Sequence, residues 1–296
     1  MLRKLSESVA IIDTQALDAP NVVAAYVVAG KETALIDMGY QSSADVVLRD
    51  LAGNGINPDY LLPTHVHLDH CGSCGALARK FTNASIRVHP KGEPHLVDPS
   101  RLWKGAGELF GCELVQRYGR PEPIAQGRVH VAVDGDVVDL GRGITLRTVW
   151  TPGHASHHLS YEWEGHKAFF TGDAVGICFP EFPVLIPTTP PTSFNLEETL
   201  QSLERIRGSS PAEFYTPHYG VVRDAMPWIT ENVNLLQHWL KSIRQMREAG
   251  WSDEQMSNAL TDEIAGVMRR PTSEVPDYLR ISIKINVLGI LRYLSR

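Results

Sequence analysis

The chain has 296 residues, 43% of them hydrophobic, and a formal charge of −6 at pH 7. That is enough apolar material for a real core. An acidic balance without long charge blocks argues against nucleic acid or an anionic membrane as the main partner. The four cysteines make no disulfide framework in a chain this long and suit a reducing compartment.

The start, Met1 to Glu7, is polar and carries no signal-peptide pattern. No apolar run approaches the ~18 residues of a bilayer span. A cytoplasmic protein is therefore expected. Val9–Asp13, Asn21–Ala29 and Thr33–Asp37 read as strands, the last two joined by a tight turn at Gly30-Lys31-Glu32. Asp37 then stands at a strand end, where it is either a helix cap or a carboxylate that orients a metal-bound histidine. Residues 41–54 place Ala44, Val47, Leu48 and Leu51 at helical spacing, stopped by Gly53-Asn54-Gly55.

The short apolar run Tyr60-Leu61-Leu62-Pro63 leads into Thr64-His65-Val66-His67-Leu68-Asp69-His70. Imidazoles and a carboxylate are ligands for zinc, iron and manganese. In an extended segment His65, His67 and Asp69 share one face and His70 points elsewhere, so the run can serve two metal positions. Cys71-Gly72-Ser73-Cys74 opens the next helix. It reads as small packing residues, with a redox or ligand pair as the alternative.

Residues 84–90 form another strand, and the βαβ rhythm argues for an α/β sheet. Residues 94–124 read as a short helical insertion, either core or a lid. Val129–Val133, Val137–Leu140 and Ile144–Trp150 are strands. The last of them ends in Thr151-Pro152-Gly153-His154, with His157 and His158 just beyond. A hairpin, Leu159–Trp163 and Lys167–Thr171, ends at Gly172-Asp173. The apolar, proline-rich stretch Gly176–Pro187 is read as irregular and as pocket lining for an acyl or other apolar substrate. An amphipathic helix, Leu196–Arg207, precedes the strand Ala212–Thr216, which ends in Pro217-His218-Tyr219-Gly220. Helices follow over Trp228–Ala249, Ser252–Asp262 and from Val275 to the end, with Ser252-Asp253-Glu254-Gln255 as an N-terminal cap. Residues 1–225 are expected to be one catalytic domain and 226–296 a helical extension. The surplus apolar positions of the last helix are either clamped under neighbours or form a homodimer interface.

Five histidines and two carboxylates thus end strands: His65, His67, Asp69, His70, His154, Asp173 and His218. Two metals held this way would activate a water and clamp an oxyanion. Tyr219 is a candidate oxyanion donor.

His65-Val66-His67-Leu68-Asp69-His70 resembles the HxHxDH signature of the metallo-β-lactamase superfamily. Thr151-Pro152-Gly153-His154, Thr171-Gly172-Asp173, Pro217-His218-Tyr219-Gly220 and Leu35-Ile36-Asp37-Met38-Gly39 resemble its other motifs, in its order. The resemblance implies an αββα sandwich of two mixed β-sheets flanked by helices. It implies that His65, His67 and His154 hold one metal, that Asp69, His70 and His218 hold a second, and that Asp173 bridges them, with Asp37 behind the ligands. Asp69, Asp173 and Tyr219 are then the candidate catalytic side chains.

By resemblance to the glyoxalase II-like and lactonase-like branches, the expected function is hydrolysis of a small ester, thioester or lactone by a metal-bridging hydroxide. Two divalent ions, zinc first and iron or manganese next, are expected, with a small-molecule substrate and neither nucleic acid nor membrane as partner. Asp173 stands where common zinc β-lactamases carry cysteine, which speaks against antibiotic hydrolysis. The rivals are a one-iron persulfide dioxygenase and a metal-bound sensor without turnover.

Overall fold

The computed structural model describes all residues, 1–296. In chain order the elements begin with strands β1 (Leu2–Lys4), β2 (Val9–Asp13), β3 (Ala24–Ala29) and β4 (Thr33–Ile36). Helix α1 (Ala44–Gly53) and strand β5 (Tyr60–Leu62) follow, then helices α2 (Leu68–Cys71) and α3 (Cys74–Lys80) and strand β6 (Ser85–Val88). Next come helices α4 (Glu93–Val97), α5 (Ser100–Phe110) and α6 (Cys112–Tyr118) and strands β7 (Val129–Val131), β8 (Val137–Asp139), β9 (Thr145–Trp150), β10 (Leu159–Trp163), β11 (Ala168–Phe170), β12 (Ile177–Phe179) and β13 (Phe182–Ile186). The chain ends with α7 (Leu196–Gly208), β14 (Glu213–Thr216), β15 (Gly220–Val222), α8 (Ala225–Glu248), α9 (Asp253–Val267) and α10 (Asp277–Tyr293). No helix is long and apolar enough to cross a membrane.

The chain divides into two compact units interleaved in sequence: residues 1–150, 157–172 and 213–221, and residues 151–156, 173–212 and 222–296. The expected boundary at 225 is a single cut, whereas the second unit also takes the segments around His154 and Asp173.

The first unit holds two sheets. One has seven strands in the order β1 to β7, antiparallel through β4 and parallel from β4 onward. The other runs β15-β14-β11-β10-β9-β8. Alternation along the strands sends one set of side chains into the space between the sheets. Ile11, Tyr26, Ile36, Leu146, Tyr161, Phe170 and Tyr215 form that core. The other face of the first sheet presents Ile12, Val27, Leu35, Leu61 and Ile86 to Val47, Leu51, Cys74 and Leu77 of α1 and α3. The residue 94–124 segment forms α4 to α6, whose Ala106, Val115 and Tyr118 cluster with Leu68.

In the second unit, Gly176–Pro187 forms a hairpin of β12 and β13, with a register shift between Ile177 and Phe179, rather than the stretch without secondary structure expected. Its proline at position 183 lies in a two-stranded ribbon, where a missing amide donor is tolerated. Phe179 packs on Tyr278 of α10 with ring centroids 4.8 Å apart, and β13 lies against α8. The apolar residues of this hairpin are thus used in packing on helices. In α10, Leu279, Ile283, Val287 and Ile290 are buried, while Ile281, Ile285, Leu288 and Leu291 are half-buried. Ser252 and Gln255 make a reciprocal cap at the start of α9.

Candidate metal centre

β5 ends at Leu62; the chain then bends at Thr64 and His65, and His67, with extended backbone angles, leads into α2 at Leu68. The expected extended segment carrying His65, His67 and Asp69 on one face is therefore not formed, because the chain bends at His65 and is helical at Asp69. Asp69 and His70 are helical neighbours, and both are brought to His218. Ligand atoms of Asp69, His70 and His218 lie within 4.8 Å of one another. Asp69 Oδ2 is 3.3 Å from His218 Nε2 and 3.6 Å from His70 Nε2. His65 lies close by, its ring centroid 4.0 Å from that of His70 and tilted against it, and its Nε2 is 2.9 Å from Nδ1 of His67.

What aims these imidazoles is the partner of each remaining ring nitrogen. His70 Nδ1 donates to Asp37 Oδ2 at 3.0 Å, since an ionised carboxylate only accepts. His218 Nδ1 donates to the Val22 carbonyl at 3.0 Å. Thr64 Oγ1 donates to Asp37, 3.0 Å away, and so accepts from His65 Nδ1 at 3.0 Å. In each of these three rings Nε2, opposite the partner of Nδ1, is the nitrogen turned toward the site, the orientation a metal requires.

Asp37 caps no helix. It is buried with φ 51°, in the left-handed region that Asp adopts more readily than most residues. Its Oδ1 also accepts the Thr64 amide at 2.8 Å, so one carboxylate orients two histidines.

The electrostatics suit a cation. Burial alone would raise the Asp69 pKa, but His70 and the hydrogen bond from His218 outweigh it and hold the carboxylate below its usual range. Burial pushes His67 down to about 4, so it is a neutral donor near pH 7. A carboxylate and imidazoles desolvated together fit a hard-to-borderline divalent ion.

His154 and Asp173 belong to the second unit. There His154 Nε2 is 3.5 Å from Asp173 Oδ2, and His154 Nδ1 donates to the Thr188 carbonyl at 3.3 Å. His154 therefore has the same tautomer as the other three.

The remaining candidates are placed differently. His158 is fully buried behind His65, ring centroids 4.8 Å apart. Gly172 has φ +52°, and a Cβ there would meet His158 Nε2 at 2.5 Å and Thr64 Oγ1 at 2.7 Å, so both backbone freedom and space call for glycine. His157 accepts a long contact from the Val66 amide at 3.5 Å and faces His67 and His95 with ring centroids 6.0 and 6.4 Å away.

Cys71 and Cys74 are free and buried, and burial raises both thiols, Cys74 to about 12. They are packing residues, since reactive thiols need a lowered pKa. Tyr219 packs at the edge of the core between the sheets, with its hydroxyl beside Arg3 and Asp13 rather than the histidines. The expected oxyanion donor thus has its hydroxyl hydrogen-bonded to Arg3. Thr64 is the residue that sequence reasoning passed over, and its only signal was a hydroxyl directly before the first histidine.

Known proteins bear on this geometry. A family model described as "Metallo-beta-lactamase superfamily" matches residues 18–218. A metallo-beta-lactamase fold-containing protein, ST1585, of Sulfurisphaera tokodaii is 32% identical over 209 residues, covering 69% of this chain and 75% of the relative. Superposed on the solved structure of ST1585 from Sulfolobus tokodaii, the chain gives a TM-score of 0.73 at 25% identity, covering 97% of this chain and 99% of the other.

An atrochrysone carboxyl ACP thioesterase of Aspergillus fumigatus is 29% identical over 70% of this chain and 54% of its own length. A hydroxyacylglutathione hydrolase of a Bradyrhizobium strain is 28% identical over 45% of this chain and 40% of its own length. The chain thus spans about half or less of these two relatives. The fold is the expected sandwich of mixed sheets with flanking and C-terminal helices, and the chain belongs to the metallo-β-lactamase superfamily of metallohydrolases.

Proposed function

We propose that the protein is a binuclear metal-dependent hydrolase of a small acyl compound, with a thioester as the leading substrate class. The observation that carries this is the set of histidine tautomers. His65, His70 and His218 each give up Nδ1–H to an oxygen behind the ring, and His154 does so in the second unit. Such an arrangement has little use for stability, since buried polar groups cost free energy even when paired. It has a clear use in aiming Nε2 of each ring at a cation.

In this proposal His65, His67 and His154 hold one ion, Asp69, His70 and His218 hold the other, and Asp173 serves both. When bound, two divalent ions, zinc foremost, would supply an activated water and polarise the acyl carbonyl. The chain's own part is to orient the donors, keep Asp69 ionised and exclude competing protons from the imidazoles. The thioester preference rests on the two relatives whose names give an acyl carrier protein thioesterase and a hydroxyacylglutathione hydrolase.

The test is a panel of acyl thioesters, lactones and aryl esters, assayed with metal-stripped protein and after adding zinc or manganese. Thioester hydrolysis that appears only with metal and disappears in Asp69→Ala supports the proposal. Equal rates with and without metal, or no turnover of any substrate by the fully loaded protein, would refute it.

A further inference from the structure

Helix α10 carries two residues that its own architecture does not call for. Asn286 and Gly289 stand in the apolar run Ile283-Lys284-Ile285-Asn286-Val287-Leu288-Gly289-Ile290. Glycine is disfavoured inside a helix, and a buried amide must find partners. Both are explained by the loop after β13. A Cβ at position 289 would lie 1.6 Å from the carbonyl oxygen of Thr189, so only glycine lets that loop lie on the helix. Asn286, 3% exposed, accepts at Oδ1 from the Thr189 amide at 2.5 Å and from its hydroxyl at 2.8 Å. Asn286 Nδ2 donates to the Ser282 carbonyl at 2.9 Å, which fixes the amide's orientation.

The residue before Thr189 turns the other way. The Thr188 carbonyl accepts from His154 Nδ1 at 3.3 Å, and its hydroxyl donates to the Asp173 carbonyl at 2.6 Å. One dipeptide therefore sits between α10 on one side and two candidate ligands on the other.

We infer that Asn286 is a positioning residue for the metal centre: by clamping Thr189 it holds Thr188 where it sets the His154 ring and the Asp173 backbone. The inference rests on the metal-hydrolase proposal above and extends it to the C-terminal helix. Groups behind metal ligands commonly matter by 10- to 100-fold in metal affinity.

The experiment titrates the metal-free full-length protein with cobalt(II) against a chelator, records the visible ligand-field bands, and follows thermal unfolding of each variant. Asn286→Leu should weaken the tighter cobalt site about tenfold or more and shift its bands. Thr189→Val, which removes only the hydroxyl, should give a smaller change in the same direction, and Thr189→Ser should restore wild-type affinity. Ile283→Val, a trimmed core contact on the same helix, should lower the unfolding temperature while leaving affinity and bands unchanged.

If Asn286→Leu does not fold, the two Thr189 variants decide. Folded Asn286→Leu or Thr189→Val with affinity within twofold of wild type and unshifted bands would overturn the inference alone. Wild-type protein that binds no cobalt would overturn the inference and the proposed function together. An Ile283→Val variant that loses affinity as Asn286→Leu does would reduce Asn286 to a general stability role and overturn the inference.

Discussion

Asp37 does more at the candidate centre than any single ligand. It takes the Thr64 amide and hydroxyl and His70 Nδ1, and through Thr64 it also fixes His65. Asp37→Ala should therefore lower metal affinity by about 10- to 100-fold without removing a ligand, a loss that equilibrium dialysis would detect.

A second expectation concerns pH. Burial pushes His67 down to about 4 and His157 to about 3. Both stay neutral in the folded protein at pH values where unfolded imidazoles, near 6.5, take up protons. The unfolded state then binds more protons, so stability rises with pH and is lost progressively as pH falls from about 6.5 toward 4. Urea midpoints of the metal-free protein should drop over that window, and His157→Gln should flatten the drop. A variant with the wild-type slope would contradict this. The motif histidines were legible because four potential ligands crowd six residues. The tautomers were not, because they depend on Val22 and Thr188, far away in sequence.

Among the elements, caps and glycines mark where local chemistry agrees with the fold. Ser252 and Gln255 form the expected reciprocal cap, and Ser252→Ala should cost about 1 kcal/mol, read as a lower thermal midpoint without loss of metal. Most strands were readable from alternation, within a residue or two at each end. Gly176–Pro187 was misread because its prolines suggested an irregular stretch, whereas a two-stranded ribbon leaves one edge of each strand free of ladder bonds. The turn of the chain into α2 was also missed. Its four residues are too few to show a helical period, and Asp69 and His70 face the site from a helix for that reason.

For the molecule as a whole, the two sheets of the first unit meet at Tyr26. Its ring lies 5.6 Å from those of Phe170 and Tyr215, and its hydroxyl donates to the carbonyls of Thr216 and Gly220, which bracket His218. Tyr26→Phe should cost about 1–2 kcal/mol in urea unfolding and should also weaken the metal site that contains His218. An affinity unchanged in the folded variant would mean that the loop holds its shape without this tether. The α/β class followed from the βαβ rhythm, but the pairing of two sheets did not, because it depends on contacts such as Tyr26 to Thr216 that no local pattern encodes.

The most direct measurement is metal content per chain, by elemental analysis of freshly purified protein, for the wild type and Asp69→Ala. The binuclear hydrolase predicts two divalent ions per chain in the wild type and one in the variant, with hydrolysis lost alongside the second ion. A single iron per chain, unchanged by the substitution, or no bound metal at all, would contradict it.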